Sequence, residues 1–327
     1  MNIIFKFKDC ITIIIMISEV EFLSIADYVF PNDYMFSFST NTPLLHPSIV
    51  NNLPNNTIIY LHFDYIWQFV DLILPHISSY FKIITGFSDL LVPYLREPRR
   101  DYTADKILNN KYLIKWYAIN CIIDHPKIMR IPIGIPRTHP GLVSHNDKKL
   151  IRYSVNPESY ILVTNGIKNI MQNKNIMDVM KSKKDTNKLL YINYSSESTD
   201  DTNYRDNFGF RRKLDDYLLE TPFKKESTFK FWEDNLLETH KHKFTLEAFG
   251  RCFDGFRVWE AILVGTIPVV FSSPLNELYE NLPVLVINSF EQINEAFLNE
   301  QFEILVNKNN YNFEKLYIKY WENIIKQ

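Results

Sequence analysis

Residues 243–273 read KFTLEAFGRCFDGFRVWEAILVGTIPVVFSS. The apolar start at 244–246 predicts a short strand, and the β-branched run at 267–271 predicts a second, buried strand. Between them, a glycine-containing loop leads into apolar residues at helical spacing over 256–263, and Gly265 is typical of a helix end. This stretch predicts a strand, loop, helix and strand unit, and the rest of the chain is arranged around it.

Such a unit places a loop at the N-terminus of a helix, where unpaired backbone N–H groups and the helix dipole favour a diphosphate. Arg257 in the first helical turn can bind two phosphate oxygens, and Glu260 on the same helix face can accept hydrogen bonds from ribose hydroxyls. With the loop from Gly250 to Gly255, these residues predict a nucleotide-diphosphate pocket. Two structural interpretations stay open: Asp254 as an ordinary helix cap, and Arg257 with Glu260 as an ordinary ion pair.

The composition of the whole chain limits the classes of function that fit it. Its 327 residues, 46% of them hydrophobic, are enough for two domains. The net charge of -2 gives no excess of positive charge that could bind nucleic acid.

The spacing of Cys10, Cys121 and Cys252 does not match a metal site, which argues against a disulfide framework or a zinc site and favours a reducing, cytoplasmic location. The apolar run at 11–17 is too short to span a bilayer, so we expect a strand or a mobile extension, with a weak membrane anchor as the minority view. P-loop, CxxC, HExxH and GxSxG motifs are absent from the sequence, which excludes their enzyme classes.

The N-terminal half alternates strands with helices. Residues 57–63 (TIIYLHF) and 82–85 (KIIT) predict buried strands, and a helical pattern lies between them. This alternation predicts a parallel sheet with ligands at the carboxyl ends of its strands. Asp64 and Asp89 follow these strands and are expected near a cleft, although each could equally cap a helix.

Residues 110–141 predict two further strands, with loops that carry Asn120, His125 and Lys127. The polar segment 146–187 contains an amphipathic pattern that predicts a packing helix. Its end at 181–187 (KSKKDTN) is charged and free of large apolar residues, so we expect a solvated boundary between two domains.

Residues 189–194 predict the strand that opens a second sheet, with Asn193 near its end. Arg205 lies in the polar segment that follows, and Arg211 and Arg212 are rival candidates for a phosphate role. We expect the adjacent acidic pairs at 200–201 and 215–216 to be solvated.

Two of these stretches resemble one family, the exostosin-like glycosyltransferases. The donor-binding segment of that family reads approximately K-F-x-x-x-P-x-G-x-G-x-D-x-x-R-x-W-E-A-L-x-x-G-x-I-P-V-V. The positions of this sequence that match it are Lys243, Phe244, Gly250, Asp254, Arg257, Trp259, Glu260, Ala261, Gly265, Ile267, Pro268, Val269 and Val270. Ala248 replaces a usual proline, and Phe256 replaces a histidine that many relatives carry.

The second resemblance lies in the first half of the chain, where relatives often read W-F-A-x-N, then H-P-K, then I-P-I-G-I. The matching positions are Trp116, Ala118, Asn120, His125, Pro126, Lys127, Ile131, Pro132, Ile133, Gly134 and Ile135. The W-P-H-G that usually follows is changed to residues 138–141 (THPG), so the resemblance does not support an acceptor contact there.

The resemblance implies an α/β fold with two facing, Rossmann-like, doubly wound domains, the GT-B arrangement. Its parts would be an acceptor-side domain at 1–183, a nucleotide-sugar-binding domain at 184–310, and a C-terminal helix at 311–327 that packs back on the first domain. The implied activity is transfer of a sugar from a nucleotide-diphosphate sugar of the UDP or GDP type to a hydroxyl of a glycan or protein.

The resemblance also implies roles for individual residues. Reaction with inversion needs a general base, and Asp89 is the first candidate and Asp64 the second. The sequence has no DxD motif, so we expect a metal-independent reaction without a resident cofactor. Acceptor-side residues would be Asn120, His125 and Lys127. The donor-binding residues would be Arg257, Glu260, Asp254, Gly250, Gly255, Asn193 and Arg205.

Two other functions fit the same sequence. One is a non-catalytic carbohydrate- or nucleotide-binding protein that keeps the fold, an alternative favoured by Phe256 and Ala248. The other is a nucleotide-sugar epimerase on the same two-domain plan. Product analysis separates them, because an epimerase changes the sugar and leaves its diphosphate bond intact.

Overall fold

The computed structural model describes residues 3–7, 10–14, 16–31, 42–88, 91–92, 100–136, 157–196, 209–226 and 232–327. Within these ranges the chain forms two parallel β-sheets with helices around them. The predicted α/β class with two Rossmann-like domains is confirmed.

The first sheet has five strands, and each neighbouring pair is parallel. Their order across the sheet is their order along the chain. The strands are β3 (Tyr28–Phe30), β4 (Thr57–His62), β5 (Phe81–Gly86), β6 (Leu113–Ile119) and β7 (Ile128–Ile131).

The second sheet has four parallel strands, which also lie side by side in chain order. Among the described strands, neither sheet contains a reversal of this order. The strands are β8 (Leu190–Ile192), β9 (Phe244–Glu247), β10 (Ile267–Phe271) and β11 (Leu285–Ile287).

Helices connect the strands and cover the sheets. Those before the second sheet are α1 (Glu19–Ile25), α2 (Ile66–Gln68), which continues through Phe69–Ile73, α3 (Arg100–Leu108), α4 (Pro157–Met171) and α5 (Ile176–Lys181). The later ones are α6 (Phe210–Leu219), α7 (Trp232–Lys241), α8 (Phe256–Leu263), α9 (Asn276–Tyr279), α10 (Glu295–Asn307) and α11 (Ile318–Lys326).

Residues 11–14 of the N-terminal apolar run form a strand, one of the two alternatives that the sequence leaves open. It lies in β2 (Cys10–Ile14), which pairs with β1 (Ile3–Phe7) in an antiparallel hairpin. In the described part of the chain, no helix is both long and apolar enough to cross a bilayer.

The central strands are buried along their whole length. Every residue of β4 and β5 is buried, which is typical of parallel strands covered on both faces. Trp116 of β6 is fully buried and donates its indole N–H to the Thr85 hydroxyl of β5 at 2.9 Å. A buried indole needs such a partner, so this contact joins two central strands through their side chains as well as their backbones.

The last helix returns to the first domain, as predicted. Trp321 of α11 packs edge-on against Phe22 of α1, with ring centroids 6.4 Å apart. The buried Lys82 of β5 donates from Nζ to the backbone carbonyl of Ile325 at 2.7 Å. An ammonium at the end of a helix satisfies a carbonyl that has no partner within that helix.

The prediction of a solvated linker at 181–187 is wrong for Lys183. Its Nζ is buried and donates to the backbone carbonyls of His242 and Gly265 and to Oγ1 of Thr266. Burial lowers the pKa of this amine to about 7. Lys183 therefore ties the end of α5 to the segment that precedes β10.

Helix α4 packs against α7, the helix that precedes β9 in the chain. A Cβ atom on Gly166 of α4 would be 2.8 Å from the indole ring of Trp232 in α7, so the two helices approach closely there. The boundary between residues 183 and 184 stays a prediction.

Candidate functional site

The carboxyl edges of the two sheets meet at Asp254. Asn120 directly follows β6, and its Oδ1 accepts from the Asp254 backbone N–H at 2.8 Å while its Nδ2 donates to the Asp254 carbonyl at 3.3 Å. The backbone N–H of Ile133, just past β7, donates to Oδ2 of Asp254 at 2.8 Å. Since ligands of open parallel sheets bind beyond the carboxyl ends of the strands, both ligand-binding edges face a common space.

The Asp254 carboxylate is fully buried, with 0% of the residue exposed. Its Oδ1 accepts from the Trp259 indole N–H at 2.9 Å and from the Tyr279 hydroxyl at 3.0 Å. The helix-cap interpretation is wrong, because the residue before α8 is Gly255 and no side chain caps that helix. Asp254 is a contact between the domains that fixes the loop before α8.

Burial raises the pKa of Asp254 to about 7, from an ordinary 3.8, although its hydrogen-bond donors oppose the shift. Between these values the folded protein holds a proton that the unfolded chain has lost. Stability from this group is therefore fully present below about pH 3.8 and is lost as the pH rises through about 7.

We expect this shift to appear as a pH dependence specific to Asp254. The measured quantity is the free energy of unfolding of the unmodified protein minus that of Asp254→Asn. This difference should fall by up to about 1.4 kcal/mol per pH unit between pH 5 and 7 and level off above that range. Urea unfolding of both proteins at pH 5, 6, 7 and 8 measures the difference. Parallel pH profiles would show that Asp254 keeps an ordinary pKa.

Arg257 lies in the first turn of α8 and is half-buried. In the described ranges its guanidinium forms no hydrogen bond and no ion pair with the protein. The alternative of an ordinary Arg257–Glu260 ion pair is therefore not found. Arg257 and the uncapped start of α8 together offer charge and N–H donors to an anion.

Glu260 is buried, with 6% of the residue exposed, and its Oε1 accepts from the Trp232 indole N–H at 2.8 Å. Burial raises the pKa of Glu260, while the bond from Trp232 and the charge of Arg257 oppose the rise. Trp232 therefore fixes the rotamer of Glu260 before any ligand binds.

Glu247, the last residue of β9, is a site residue that the sequence did not reveal. Its carboxylate lies so close to the loop that a Cβ on Gly255 would be 2.7 Å from Oε1. Burial raises the pKa of Glu247, and the charges of Arg257 and Arg211 lower it. Its position at the end of a strand, before a glycine-containing loop, is the signal that could have identified it.

The loops beside this site are held by Arg211, which is buried. Its guanidinium donates to the backbone carbonyls of Phe249 at 2.8 Å, Ala248 at 3.1 Å and Ser195 at 2.8 Å. These contacts join the segments that follow β8 and β9. A phosphate role for Arg211 is not supported, because its donors bind the backbone. A Cβ on Gly250 would be 3.0 Å from Nη2 of Arg211, so the glycine allows this close packing.

The prediction that Asp215 is solvated is wrong. Its carboxylate accepts from the Tyr194 hydroxyl at 2.7 Å, from Nζ of Lys225 at 2.7 Å, and from the Ser196 hydroxyl. These contacts anchor the segment after β8. Asn193 in that segment donates from Nδ2 to Oδ1 of Asn235 at 2.6 Å.

On the first domain, Asp64 lies beyond the carboxyl end of β4 and is exposed. Its Oδ1 accepts from the Ser88 hydroxyl, beyond the end of β5, at 2.6 Å. The two loops expected to border a cleft are thus adjacent. The other catalytic candidate, Asp89, and the donor-side candidate Arg205 lie outside the described residues.

The structure does not bring His125 and Lys127 to this cleft. Both precede β7, at the amino edge of the first sheet. Lys127 donates from Nζ to the carbonyls of Leu108 and Asn110, both at 2.9 Å, and so caps the end of α3. Nδ1 of His125 accepts from the Lys127 backbone N–H at 3.1 Å. Asn120 is at the cleft edge, but its amide is used on Asp254.

Across the described ranges, no group of three or more His, Cys, Asp and Glu side chains is arranged to hold a metal ion.

No protein-family model matches this chain, and no curated protein matches it. A solved structure described as trehalose-6-phosphate from E. coli bound with UDP-2-fluoro glucose is 10% identical with a TM-score of 0.35, and covers 94% of this chain and 82% of that one. An OtsA apo structure is 10% identical with a TM-score of 0.34, and covers 86% of this chain and 75% of that one. The resemblance to exostosin-like enzymes stays a prediction.

Proposed function

We propose that the protein is a glycosyltransferase that moves a sugar from a nucleotide-diphosphate sugar to a hydroxyl of a glycan or protein. The observation that carries this proposal is the meeting of the two carboxyl sheet edges at Asp254, beside the unpaired guanidinium of Arg257. Such an arrangement suits a two-substrate transfer, because it allows one substrate on each domain with the reacting atoms between them. The two sequence stretches that resemble exostosin-like enzymes support it.

The second domain would bind the donor. Arg257 and the start of α8 would bind the diphosphate, the loop from Gly250 to Gly255 would pass close to it, and Glu260 would bind the ribose. Asp254 would act as a positioning residue, because its carboxylate is used by protein donors. Asn193, just past the end of β8, is a further candidate, as is Arg205 from the sequence resemblance.

The reaction breaks the bond between the anomeric carbon and the diphosphate oxygen and forms a bond from that carbon to the acceptor oxygen. Its transition state resembles an oxocarbenium ion, as in glycoside hydrolysis. Negative charge grows on the leaving diphosphate, where the Arg257 guanidinium and helix N–H groups would stabilise it. In the inverting, metal-independent reaction that we propose, a carboxylate takes the proton from the acceptor hydroxyl.

Asp89 is the first candidate for this base and Asp64 the second. We expect Asp89→Asn to lower turnover by about 10² to 10⁴ with little change in donor affinity, since a general base contributes about that factor. Asp64→Asn should have the smaller effect. Steady-state kinetics on both variants test this order, and full turnover by Asp89→Asn would remove Asp89 from the mechanism.

Thermal stabilisation by UDP, GDP, CMP and dTDP and their sugars tests the donor site. A ligand at about 100 times its dissociation constant adds roughly 2.7 kcal/mol to stability, which a melting curve resolves. The test variant is Glu260→Gln, because a glutamine keeps an oxygen that can accept from the Trp232 indole N–H. We expect stabilisation by one nucleotide type, reduced in Glu260→Gln and unchanged in Glu300→Gln, whose side chain is exposed on α10. No stabilisation by any of these ligands would contradict the proposal.

A further inference from the structure

Glu247 has a carboxylate oxygen without a partner. Oε2 is shielded from solvent, and among the described residues it has no hydrogen-bond partner. Buried polar atoms in folded proteins nearly always have one, so such an atom calls for an explanation. Neither neighbouring arginine supplies it: Arg211 donates to backbone carbonyls, and Arg257 forms no ion pair with Glu247 in the described structure.

The surroundings of this oxygen limit what can bind it. The Glu247 carboxylate repels an anionic ligand. The positively charged guanidinium groups of Arg211 and Arg257, which act on Glu247, disfavour a cationic ligand. A neutral hydroxyl donor fits both conditions. A hydrogen bond from a hydroxyl to an ionised carboxylate is also among the stronger kinds in proteins.

A nucleotide sugar carries such hydroxyls on the two sugars next to its diphosphate. In a nucleotide sugar, the ribose and the transferred sugar flank the diphosphate on opposite sides. Glu247 packs against Gly255, the neighbour of Asp254, and Asp254 contacts Asn120 of the first domain. Glu260, in contrast, is tied to Trp232 of α7. Because the transferred sugar must face the acceptor on the first domain, it would lie beside Glu247, which is linked to that domain through Gly255 and Asp254.

The geometry points to Glu247 as the residue that binds a hydroxyl of the transferred sugar, and so as a specificity-determining residue of the donor site. This inference rests on the proposed function. The preferred ligand is then the complete nucleotide sugar. A nucleoside diphosphate without the sugar would bind without contacting Glu247.

Calorimetric titration of Glu247→Gln and Glu247→Ala tests this assignment. The probes are UDP, UDP-glucose, UDP-N-acetylglucosamine, GDP and GDP-mannose. We expect both variants to bind the nucleoside diphosphate within about 2-fold of the unmodified protein. Binding of the nucleotide sugar should weaken by about 10-fold in Glu247→Gln and by more in Glu247→Ala, as for a lost charge-assisted hydrogen bond.

Melting temperature controls for folding. Glu247→Gln should keep a cooperative melting transition close to that of the unmodified protein, because the two side chains have nearly the same shape, and Glu300→Gln should change neither melting nor binding. Equal weakening of diphosphate and nucleotide sugar would overturn the assignment in favour of a ribose contact or a role in holding Arg257. Unchanged binding of every probe by both variants would also overturn it. If the unmodified protein binds none of the probes, the proposed function fails along with the assignment.

Discussion

Replacing Arg257 with alanine should weaken binding of the nucleoside diphosphate by about 10- to 100-fold, because a charge-assisted hydrogen bond contributes about 1.5–3 kcal/mol. The guanidinium makes no hydrogen bond to the described protein, so its removal should leave folding intact. The loss in turnover should be larger, about 10²- to 10³-fold, since charge on the diphosphate grows as the bond to the sugar breaks. Calorimetric titration and steady-state kinetics measure the two effects.

Two further variants test whether Arg257 binds the diphosphate. Arg257→Lys should recover part of the binding, since lysine keeps the charge but loses the paired geometry of the guanidinium. Arg212→Ala tests the exposed rival on α6 and should leave diphosphate binding within about 2-fold of the unmodified protein. A larger loss in Arg212→Ala than in Arg257→Ala would place the diphosphate elsewhere.

Asp254→Ala should destabilise the protein by about 3–5 kcal/mol. The change leaves buried donors of Ile133, Trp259 and Tyr279 without an acceptor, and each unsatisfied buried group costs about 1–3 kcal/mol. Removal of a buried carboxylate offsets part of this loss. Because one of these donors belongs to the first domain, the contact between the domains should weaken as well.

Urea unfolding at pH 7 measures this effect. Asp254→Asn should be destabilised less than Asp254→Ala, because its amide oxygen still accepts a hydrogen bond. Asp216→Ala, a change at an exposed aspartate on α6, serves as the matched control and should be within about 0.5 kcal/mol of the unmodified protein. A loss below about 1 kcal/mol in Asp254→Ala would mean that the contact contributes little to stability.

The sequence predicted the elements well where the apolar pattern was continuous. The strands expected at 57–63 and 82–85 are β4 and β5, and the unit at 243–273 contains β9, α8 and β10 in the expected order. Fully buried parallel strands require unbroken apolar runs, so their sequence signal is strong. The final helix was likewise placed correctly on the first domain.

Contacts between distant parts of the chain were not predictable in the same way. The resemblance implies an acceptor-side role for Asn120 and a donor-side role for Asp254, yet the Asn120 side chain is hydrogen-bonded to the Asp254 backbone, 134 positions away in the chain. Lys183 resembled a linker residue because its acceptors come from a segment much later in the chain. The position of Glu247 at the end of a strand could have indicated it from the sequence, but the missing partner of its Oε2 among the described residues is visible only in the structure.

His125 and Lys127 show a different kind of error. Both match the family pattern, but they precede β7 and therefore lie at the amino edge of the sheet. Asp64 and Ser88, which follow their strands, lie together at the carboxyl edge. The direction of a parallel strand decides which edge a flanking residue occupies, and this rule separates the two sets without any structure.

Product analysis with a nucleotide sugar tests glycosyl transfer most directly. The protein is incubated with the nucleotide sugar that stabilises it and a mixture of hydroxyl-bearing glycan and glycoprotein acceptors, and all products are separated by chromatography and mass spectrometry. We expect equal amounts of released nucleoside diphosphate and of acceptor carrying one added sugar, both strongly reduced in Arg257→Ala. A bound nucleotide sugar that is recovered unchanged would contradict the account in favour of a non-catalytic binding protein, and a changed sugar on an intact diphosphate would identify an epimerase.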